Sequence, residues 1–347
     1  MNLIRKGSSE LAKVGKSISI TNKLLKEIES RDVVPSDDFR VFIPDVNFQT
    51  YLIEEFKLVF INGTVAYGNV KVISEIRIRK RSIESLEGMQ YFTALTDLDC
   101  SWNQLTSLDV SQNIALTNLK CFGNQLTSLD VSQSIALTNL ACADNRLTSL
   151  DTSKNKALTN LNCGFNQLTT LNISNNTALT NLFFSENQLN YLDVSNNMDL
   201  IELDCSWNSL SSLDVSNNKA LTYLHCSGNQ LTSLNVSKNA FLTYLICCGN
   251  SLSSLDVSKN KALTNLHCFV NQLTYLDISK NTALTELFCL KNKLTSLDVS
   301  KNKALTYLNC FNNELTSLDL RNNLLLKQVG LSGNPGTWWK ELEKDEK

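Results

Sequence analysis

The chain has 347 residues, and its 32 Lys and Arg are nearly balanced by 34 Asp and Glu, which leaves a formal net charge of −2 at pH 7. This balance excludes the basic excess that a nucleic-acid-binding protein carries. Three prolines and twelve glycines also argue against long disordered linkers.

Residues 1–34 are predicted to form an amphipathic helical leader. One apolar stripe follows helical spacing: Leu11, Val14, Ile18, Leu25 and Ile28. This stripe either packs on the next segment or docks a partner or a second copy of the chain. The leader has no apolar run of signal-peptide length, and no stretch of the sequence approaches a membrane span. A cytoplasmic location is therefore expected, with a secreted or surface location as the alternative.

Residues 35–94 are predicted to form an N-terminal cap and a degenerate first rung. The segment VFIPDVNFQTYLIEEF (41–56) indicates an extended stretch, an Asp or Asn helix cap and a short amphipathic helix. The apolar residues of this helix are Phe48, Leu52, Ile53 and Phe56. The degenerate rung has five residues at interior positions: Ile73, Ile76, Ile78, Ile83 and Leu86.

Residues 95–334 repeat every 21 residues without insertion or deletion. Leucine recurs at this interval from Leu95 to Leu326, and asparagine recurs from Asn103 to Asn334. Such a repeat predicts a solenoid of stacked units, here of about eleven rungs. The asparagines are expected to form a hydrogen-bond ladder between successive turns.

Ten of the eleven cysteines occupy one column of the repeat: Cys100, Cys121, Cys142, Cys163, Cys205, Cys226, Cys247, Cys268, Cys289 and Cys310. Phe184 fills the one gap, and Leu331 ends the column. Stacked rungs hold such side chains about 4.8 Å apart with parallel Cβ vectors, which does not suit a disulfide. The cysteines are therefore predicted to be reduced and buried.

Each unit divides into two similar halves, such as LTNLKCFGNQ (116–125) and LTSLDVSQS (126–134). Each half is predicted to be a short strand closed by an Asn turn, with Leu119 and Cys121 pointing inward. Two parallel sheets on opposite faces of a flattened right-handed coil follow from this pattern.

Residues 335–347 depart from the repeat and are predicted to be a C-terminal cap or tail. Pro335 stops the pattern, and Trp338 and Trp339 are placed to fold over the last rung. A solenoid needs such cover because its terminal rung is packed on one side only.

The motif LTxLxCxxNxLTSLDVSxN, together with IPDxNFxxYL at the cap, resembles the 21-residue leucine-rich-repeat proteins abundant in Bacteroidetes, which are internalin-like in style. The resemblance covers residues 41–334. It implies a mostly β leucine-rich-repeat solenoid with a short α-helical N-terminal cap. It also implies binding of proteins or glycans through the exposed sheet, without catalysis in the repeats. Many members of such families are secreted.

The two halves of the repeat expose different residues. The second half presents a nearly constant Ser-Asp-Ser, which is typical of a solvated scaffold. The first half varies from rung to rung and is rich in aromatic residues, which indicates a recognition surface centred between positions 207 and 311. Alternatively, the rings only stack on one another and stiffen the sheet. The candidate ligand-binding residues are Phe165, Phe183, Trp207, Tyr223, His225, Tyr244, Ile246, His267, Phe269, Phe288, Leu290, Tyr307 and Phe311.

The sequence gives little support to a metal site or an enzyme. His225 and His267 flank Cys248, but two rungs, or about 9.6 Å, separate the imidazoles, which is too far for one zinc ion. The aspartate column from Asp109 to Asp319 is a candidate for calcium, but hydrogen bonds from flanking hydroxyls and nearby lysines are expected to balance its charge instead. No phosphate-binding loop, nucleophile elbow, zinc-protease helix or kinase signature is present. No catalytic residue, metal or cofactor is therefore expected.

The sequence thus predicts a non-enzymatic scaffold that binds a partner protein through the variable aromatic face. The alternative is a secreted or surface adhesin whose aromatic residues stack on sugar rings. A host-directed effector without a classical signal is a third hypothesis.

Overall fold

The computed structural model describes residues 34–336 and Trp338. The leader predicted for residues 1–34 therefore lies, except for its last residue, outside the described residues. The described part consists of a small cap of helix and strand followed by a long solenoid. No helix within it is long and apolar enough to cross a membrane.

The N-terminal cap contains two strands and two helices. Strands β1 (Arg40–Phe42) and β2 (Thr64–Ala66) pair antiparallel, and helix α1 (Val46–Phe56) connects them. Helix α2 (Tyr67–Val70) follows β2 directly. The sequence pattern predicts α1 but not the pairing of the strands, because each strand has only three residues and no alternation to reveal it.

A single carboxylate fixes the start of α1. Asp45 caps the helix through Oδ1, which accepts a hydrogen bond from the Phe48 amide at 2.9 Å. Its Oδ2 accepts from the amides of Glu84 and Ser85, at 2.8 and 3.1 Å. The predicted acidic cap is confirmed, and it also ties the helix to the degenerate rung.

The buried face of α1 differs in part from the prediction. Phe48 and Leu52 are fully buried as predicted, and Phe56 packs partly buried against the core. Ile53, the fourth apolar residue of the predicted amphipathic helix, is exposed. Tyr51 takes the inward position, since its hydroxyl satisfies a backbone group by accepting a hydrogen bond from the Arg77 amide at 2.9 Å.

The solenoid is held by one parallel sheet of thirteen three-residue strands in sequential order. It begins with β3 (Glu75–Arg77), which belongs to the degenerate rung, and a short 3-10 helix (Met89–Tyr91) precedes the regular repeats. The five interior residues predicted for the degenerate rung are all buried. The regular strands are β4 (Asp97–Asp99), β5 (Asn118–Lys120), β6 (Asn139–Ala141), β7 (Asn160–Asn162), β8 (Asn181–Phe183), β9 (Glu202–Asp204), β10 (Tyr223–His225), β11 (Tyr244–Ile246), β12 (Asn265–His267), β13 (Glu286–Phe288), β14 (Tyr307–Asn309) and β15 (Gln328–Gly330).

The leucine-rich-repeat solenoid is confirmed, but the predicted second sheet is wrong. In the second half of the repeat, the described residues form only three isolated bridges, Asp109 with Asp130, Asp151 with Asn172 and Asp214 with Asn235. On each rung the outward Asp or Asn accepts a hydrogen bond from the amide two residues later, as Asp130 does from Ser132 at 2.8 Å. This local bond turns the chain before a strand can extend.

The cysteine column lies fully inside the solenoid, between the leucine columns. All eleven cysteines are free thiols and buried, which confirms the prediction of reduced, interior side chains. Cys248, which alternation places on the outer face, is also buried. Each fully buried leucine beside them contributes about 1.5 to 3 kcal/mol, provided that the next rung covers it.

The predicted asparagine ladder is confirmed, and it runs through the backbone. Asn124 Nδ2 donates to the carbonyl of Cys100 on the preceding rung and to that of Cys121 on its own rung, at 3.1 and 3.0 Å. Its Oδ1 accepts from the Leu105 amide at 3.0 Å. One side chain thus joins two rungs through three hydrogen bonds.

A second asparagine column, at the turn after the second half, carries a similar role that the sequence analysis did not assign. Asn239 Nδ2, for example, donates to the carbonyls of Val215 and Asn218 on the preceding rung, at 2.9 and 2.8 Å. The column runs from Asn113 to Asn323 and is interrupted only by Ser134, whose hydroxyl has no hydrogen-bond partner among the described residues.

At the C-terminal end, Trp338 packs partly buried against the core. Trp339 and residues 340–347 of the predicted cap lie outside the described residues. Leu324 and Leu325 remain exposed on the last turn.

The interruption at Ser134 offers a reciprocal stability test. S134N restores an amide donor to two carbonyls of the preceding rung, so the free energy of unfolding should rise by about 1 kcal/mol. N239S removes the same two bonds and should lower it by about 1 to 3 kcal/mol. Urea unfolding followed by circular dichroism measures both. A stabilising N239S would contradict the ladder's role.

The buried cysteines should be inert in the native protein. Burial raises the pKa of Cys142 to about 12, so no thiolate is available at neutral pH. We expect no reaction of the native chain with Ellman's reagent over hours, and reaction of all eleven thiols in denaturant. Fast reaction of even one thiol in the native protein would contradict this packing.

Candidate functional site

The outward residues of strands β9 to β14 form the candidate site, called here the aromatic patch. The middle leucine of each strand points into the core, so the first and third residues face outward. In-register parallel pairing arranges them in two columns. The patch consists of Glu202, Asp204, Tyr223, His225, Tyr244, Ile246, Asn265, His267, Glu286, Phe288, Tyr307 and Asn309.

The first column of the patch carries three tyrosines. Tyr223 and Tyr244 are neighbours, with ring centroids 6.1 Å apart, and Tyr244 is 39% exposed. Asn265 and Glu286 separate this pair from Tyr307. Burial, and then the charges of nearby carboxylates, raise the pKa of Tyr223, so its hydroxyl stays protonated and can donate a hydrogen bond.

The second column contains both histidines, and each lies beside a carboxylate. His225 Nδ1 is 3.3 Å from Asp204 Oδ2 on the preceding rung, and His267 Nε2 is 3.4 Å from Glu286 Oε2 on the next. The His267 ring also stacks on Phe288, with centroids 4.5 Å apart. The predicted histidines therefore share one surface with Tyr223, Tyr244 and Phe288.

Asp204 is held ionised in the middle of this surface. Burial alone would raise its pKa, but hydrogen bonds from His225 and Ser206 outweigh burial, and the net pKa is lowered. The Ser206 hydroxyl donates to Oδ1 at 2.6 Å. No Lys or Arg occupies an outward position of β9 to β14, so the patch is acidic.

Three further candidates extend the patch just beyond the ends of the strands. Phe269, Leu290 and Phe311 lie on successive rungs and are half-buried. On the rung before Phe269, the same position holds the buried Cys248, so the extension begins at Phe269.

The remaining candidates lie apart from the patch centre. Phe183 is next to Asp204 at its N-terminal edge. Phe165 and Trp207 are not on the sheet face, because each lies in the turn, directly before an asparagine of the ladder. Their φ angles are positive, at 52° and 53°. Both side chains are well exposed, at 55% and 60%.

The structure reveals two exposed aromatic residues that the sequence analysis missed, on the second half of the repeat. Tyr191 and Tyr275 are 63% and 65% exposed at a position where most rungs have serine. Tyr275 lines an open cavity of about 550 Å³ together with Asp277, Asp298 and Asp319. The signal that could have revealed them is tyrosine in a column that otherwise holds only serine or threonine.

The aspartate column is balanced by local hydrogen bonds, as predicted. In most rungs the backbone amide and hydroxyl of the serine two residues later lower the pKa of the aspartate, as Ser132 does for Asp130. Within residues 34–336 and Trp338, no group of three or more His, Cys, Asp and Glu side chains is arranged to hold a metal ion.

The chain is similar to the functional domain of InlJ from Listeria monocytogenes, with 37% identity over 84% of this chain and 70% of that chain, and a TM-score of 0.79. That domain is described as including a cysteine ladder. The internalin InlF of the same species is 21% identical over 86% of this chain and 97% of that chain, with a TM-score of 0.70. A leucine-rich-repeat protein of Leptospira interrogans is 24% identical over 80% and 83%, with a TM-score of 0.71. No family model matches the chain, and no curated protein does.

The free energy of unfolding of the protein should depend on pH through His267, which lies in the patch. Burial lowers the pKa of His267 below its usual 6.5, against the opposing effect of Glu286. As the pH falls through the usual pKa of histidine, His267 binds a proton in the unfolded chain before it does so in the folded one. The folded state therefore loses stability toward low pH. We expect H267Q to lose less stability than the wild type between pH 7 and pH 5 in urea unfolding. Equal losses would contradict this assignment.

Proposed function

Since the chain belongs to the leucine-rich-repeat proteins of the internalin type, we propose that it is a non-enzymatic scaffold that binds a partner protein through the aromatic patch. The observation that carries this proposal is the contrast between a nearly constant interior and a variable, aromatic outer face on the same strands. Interface centres of this kind are enriched in Tyr, Phe and Trp, and a few such residues supply most of the binding free energy.

The contacts within the patch favour recognition over mere stiffening of the sheet. In the described part of the chain, the rings of the patch touch only locally, as Tyr223 does with Tyr244 and His267 with Phe288. Phe269, Phe311 and Tyr307 have no ring partner there. These half-buried rings do not form a continuous stack, and a partner would complete their burial.

The charge of the patch restricts the partner. Asp204, Glu202 and Glu286 lie among the rings, and no outward Lys or Arg of β9 to β14 offsets them. A complementary surface would place apolar side chains over Tyr244 and Phe288 and a Lys or Arg beside the carboxylates. Stacking of an arginine on a tyrosine ring adds a cation–π contribution.

The proposal is tested by replacing three rings of the extended patch with serine. Y244S, F269S and Y307S together should lower the affinity for the partner at least 100-fold, because each is placed as a hot-spot residue worth about 2 kcal/mol. The melting temperature should fall by only a few degrees, since the leucine and asparagine columns are intact. Affinity capture from lysate with quantitative mass spectrometry identifies the partner, and calorimetry with that partner gives the affinity.

The matched control changes the exposed tyrosines of the opposite half. Y191S with Y275S removes two rings of similar size outside the patch and should leave binding unchanged. Retained binding in the triple-serine protein, or loss in the control protein, would refute the proposed surface.

A further inference from the structure

One turn residue on each rung has a left-handed backbone conformation. It directly precedes the asparagine of the ladder that runs from Asn103 to Asn334, and its φ lies between 51° and 79° on every regular rung. The residues of this turn column are Trp102, Gly123, Asp144, Phe165, Glu186, Trp207, Gly228, Gly249, Val270, Lys291, Asn312 and Gly333.

Bulky side chains in this column are held against their backbone preference. Glycine, asparagine and aspartate accept a positive φ most readily, and they fill six of the twelve positions. An aromatic ring there is uncommon and costs conformational energy, yet Trp102, Phe165 and Trp207 all occur in the column. Residues kept in such conformations cluster at ligand-binding sites.

Trp207 lies flat along the ridge that these turns form. Its indole covers the α-carbon of Gly228 on the next rung, where an added Cβ would stand 2.6 Å from Cε3 and 2.7 Å from Cδ2. Only glycine fits beneath the ring. Trp102 and Gly123 form the same pair, with distances of 2.7 and 2.8 Å to the same two atoms.

The two tryptophans differ in the other contacts of their rings. The Trp102 ring has Lys80 Nζ at 5.8 Å from its centroid and the edge-on Phe122 ring at 5.9 Å. For Trp207, no cation and no ring takes these places among the described residues, and Trp207 is 60% exposed against 43% for Trp102. Trp207 therefore offers a flat apolar face that is open to a ligand.

Uncharged amides and one carboxylate lie on the two rungs that precede Trp207. Glu186 occupies the turn of the preceding rung, and Phe165 that of the rung before it, so the two rings are about 9.6 Å apart along the ridge. Gln167 and Gln188 are exposed two positions later on their rungs. In the described part of the chain, no hydrogen bond or ion pair engages the side chains of Glu186, Gln167 or Gln188.

We propose that this ridge, centred on Phe165, Glu186 and Trp207, binds a neutral glycan chain. A sugar ring places its C–H face on the open side of the Trp207 indole, and a second sugar contacts Phe165. Hydroxyl groups donate to the Glu186 carboxylate and bond with the amides of Gln167 and Gln188, which both donate and accept. The negative charge of Glu186 disfavours an anionic glycan.

This surface is separate from the aromatic patch, so the inference stands independently of the proposed function. Binding on this ridge depends on stacking of an extended chain over several rungs. A chain of several sugars is the smallest ligand that reaches both rings.

The test titrates the full chain with neutral hexasaccharides of β-linked glucose, xylose, mannose and N-acetylglucosamine, followed by tryptophan fluorescence and calorimetry. We expect at least one of them to bind at millimolar or lower concentration. W207N, which places a residue suited to positive φ in the column, should weaken binding at least tenfold and leave the melting temperature within about 2 °C. The triple-serine change in the aromatic patch should leave glycan binding intact.

Two glycine substitutions form a matched pair. Gly228 and Gly249 have similar φ values, 63° and 59°, so alanine carries a similar backbone penalty at both. The new Cβ displaces the indole in G228A, whereas in G249A it meets nothing closer than 3.6 Å. G228A should weaken glycan binding and G249A should not. Absence of binding by all four hexasaccharides, or equal binding by wild type, W207N and G228A, would overturn the inference.

Discussion

The buried asparagine amide is the interaction on which the rest of the structure depends. Each rung adds only a three-residue strand to the sheet, so side-chain hydrogen bonds also hold the rungs in register. At each turn of the first half, an asparagine such as Asn124 binds the backbone of two rungs at once and satisfies buried backbone groups of both. Because every bond joins a rung only to its neighbour, stability is the sum of many similar local contributions.

That constraint explains what the sequence could predict. The leucine, cysteine and asparagine columns are fixed by burial, so the same residues recur there with few exceptions, and the confirmed solenoid follows from them. The second sheet could not be excluded in this way, because Asp130 and its equivalents satisfy the same alternation as a strand. The hydrogen bonds that they accept from Ser132 and its equivalents make the chain turn there. These bonds depend on backbone dihedral angles, which the residue pattern does not reveal.

The candidate site shows the same division. The register of the repeat correctly brought Tyr223, His225, Tyr244 and Phe288 onto one surface. The same register misplaced Trp207 on the sheet face. The in-and-out alternation of a strand does not show where the strand ends and φ becomes positive. The pairing of tryptophan with glycine on the next rung was nevertheless present in the sequence, as a correlation between neighbouring units.

The dependence of each rung on its neighbours alone has a further consequence for how such a chain changes in evolution. A duplication or loss of one whole 21-residue unit leaves every asparagine bridge intact, so the solenoid can lengthen or shorten by about 4.8 Å at a time. Such duplications and losses change the distance between two binding surfaces on the solenoid without any change in the fold of a single rung. The exceptions are a break between Trp102 and Gly123 and a break between Trp207 and Gly228, because each would separate a ring from the only kind of residue that fits beneath it.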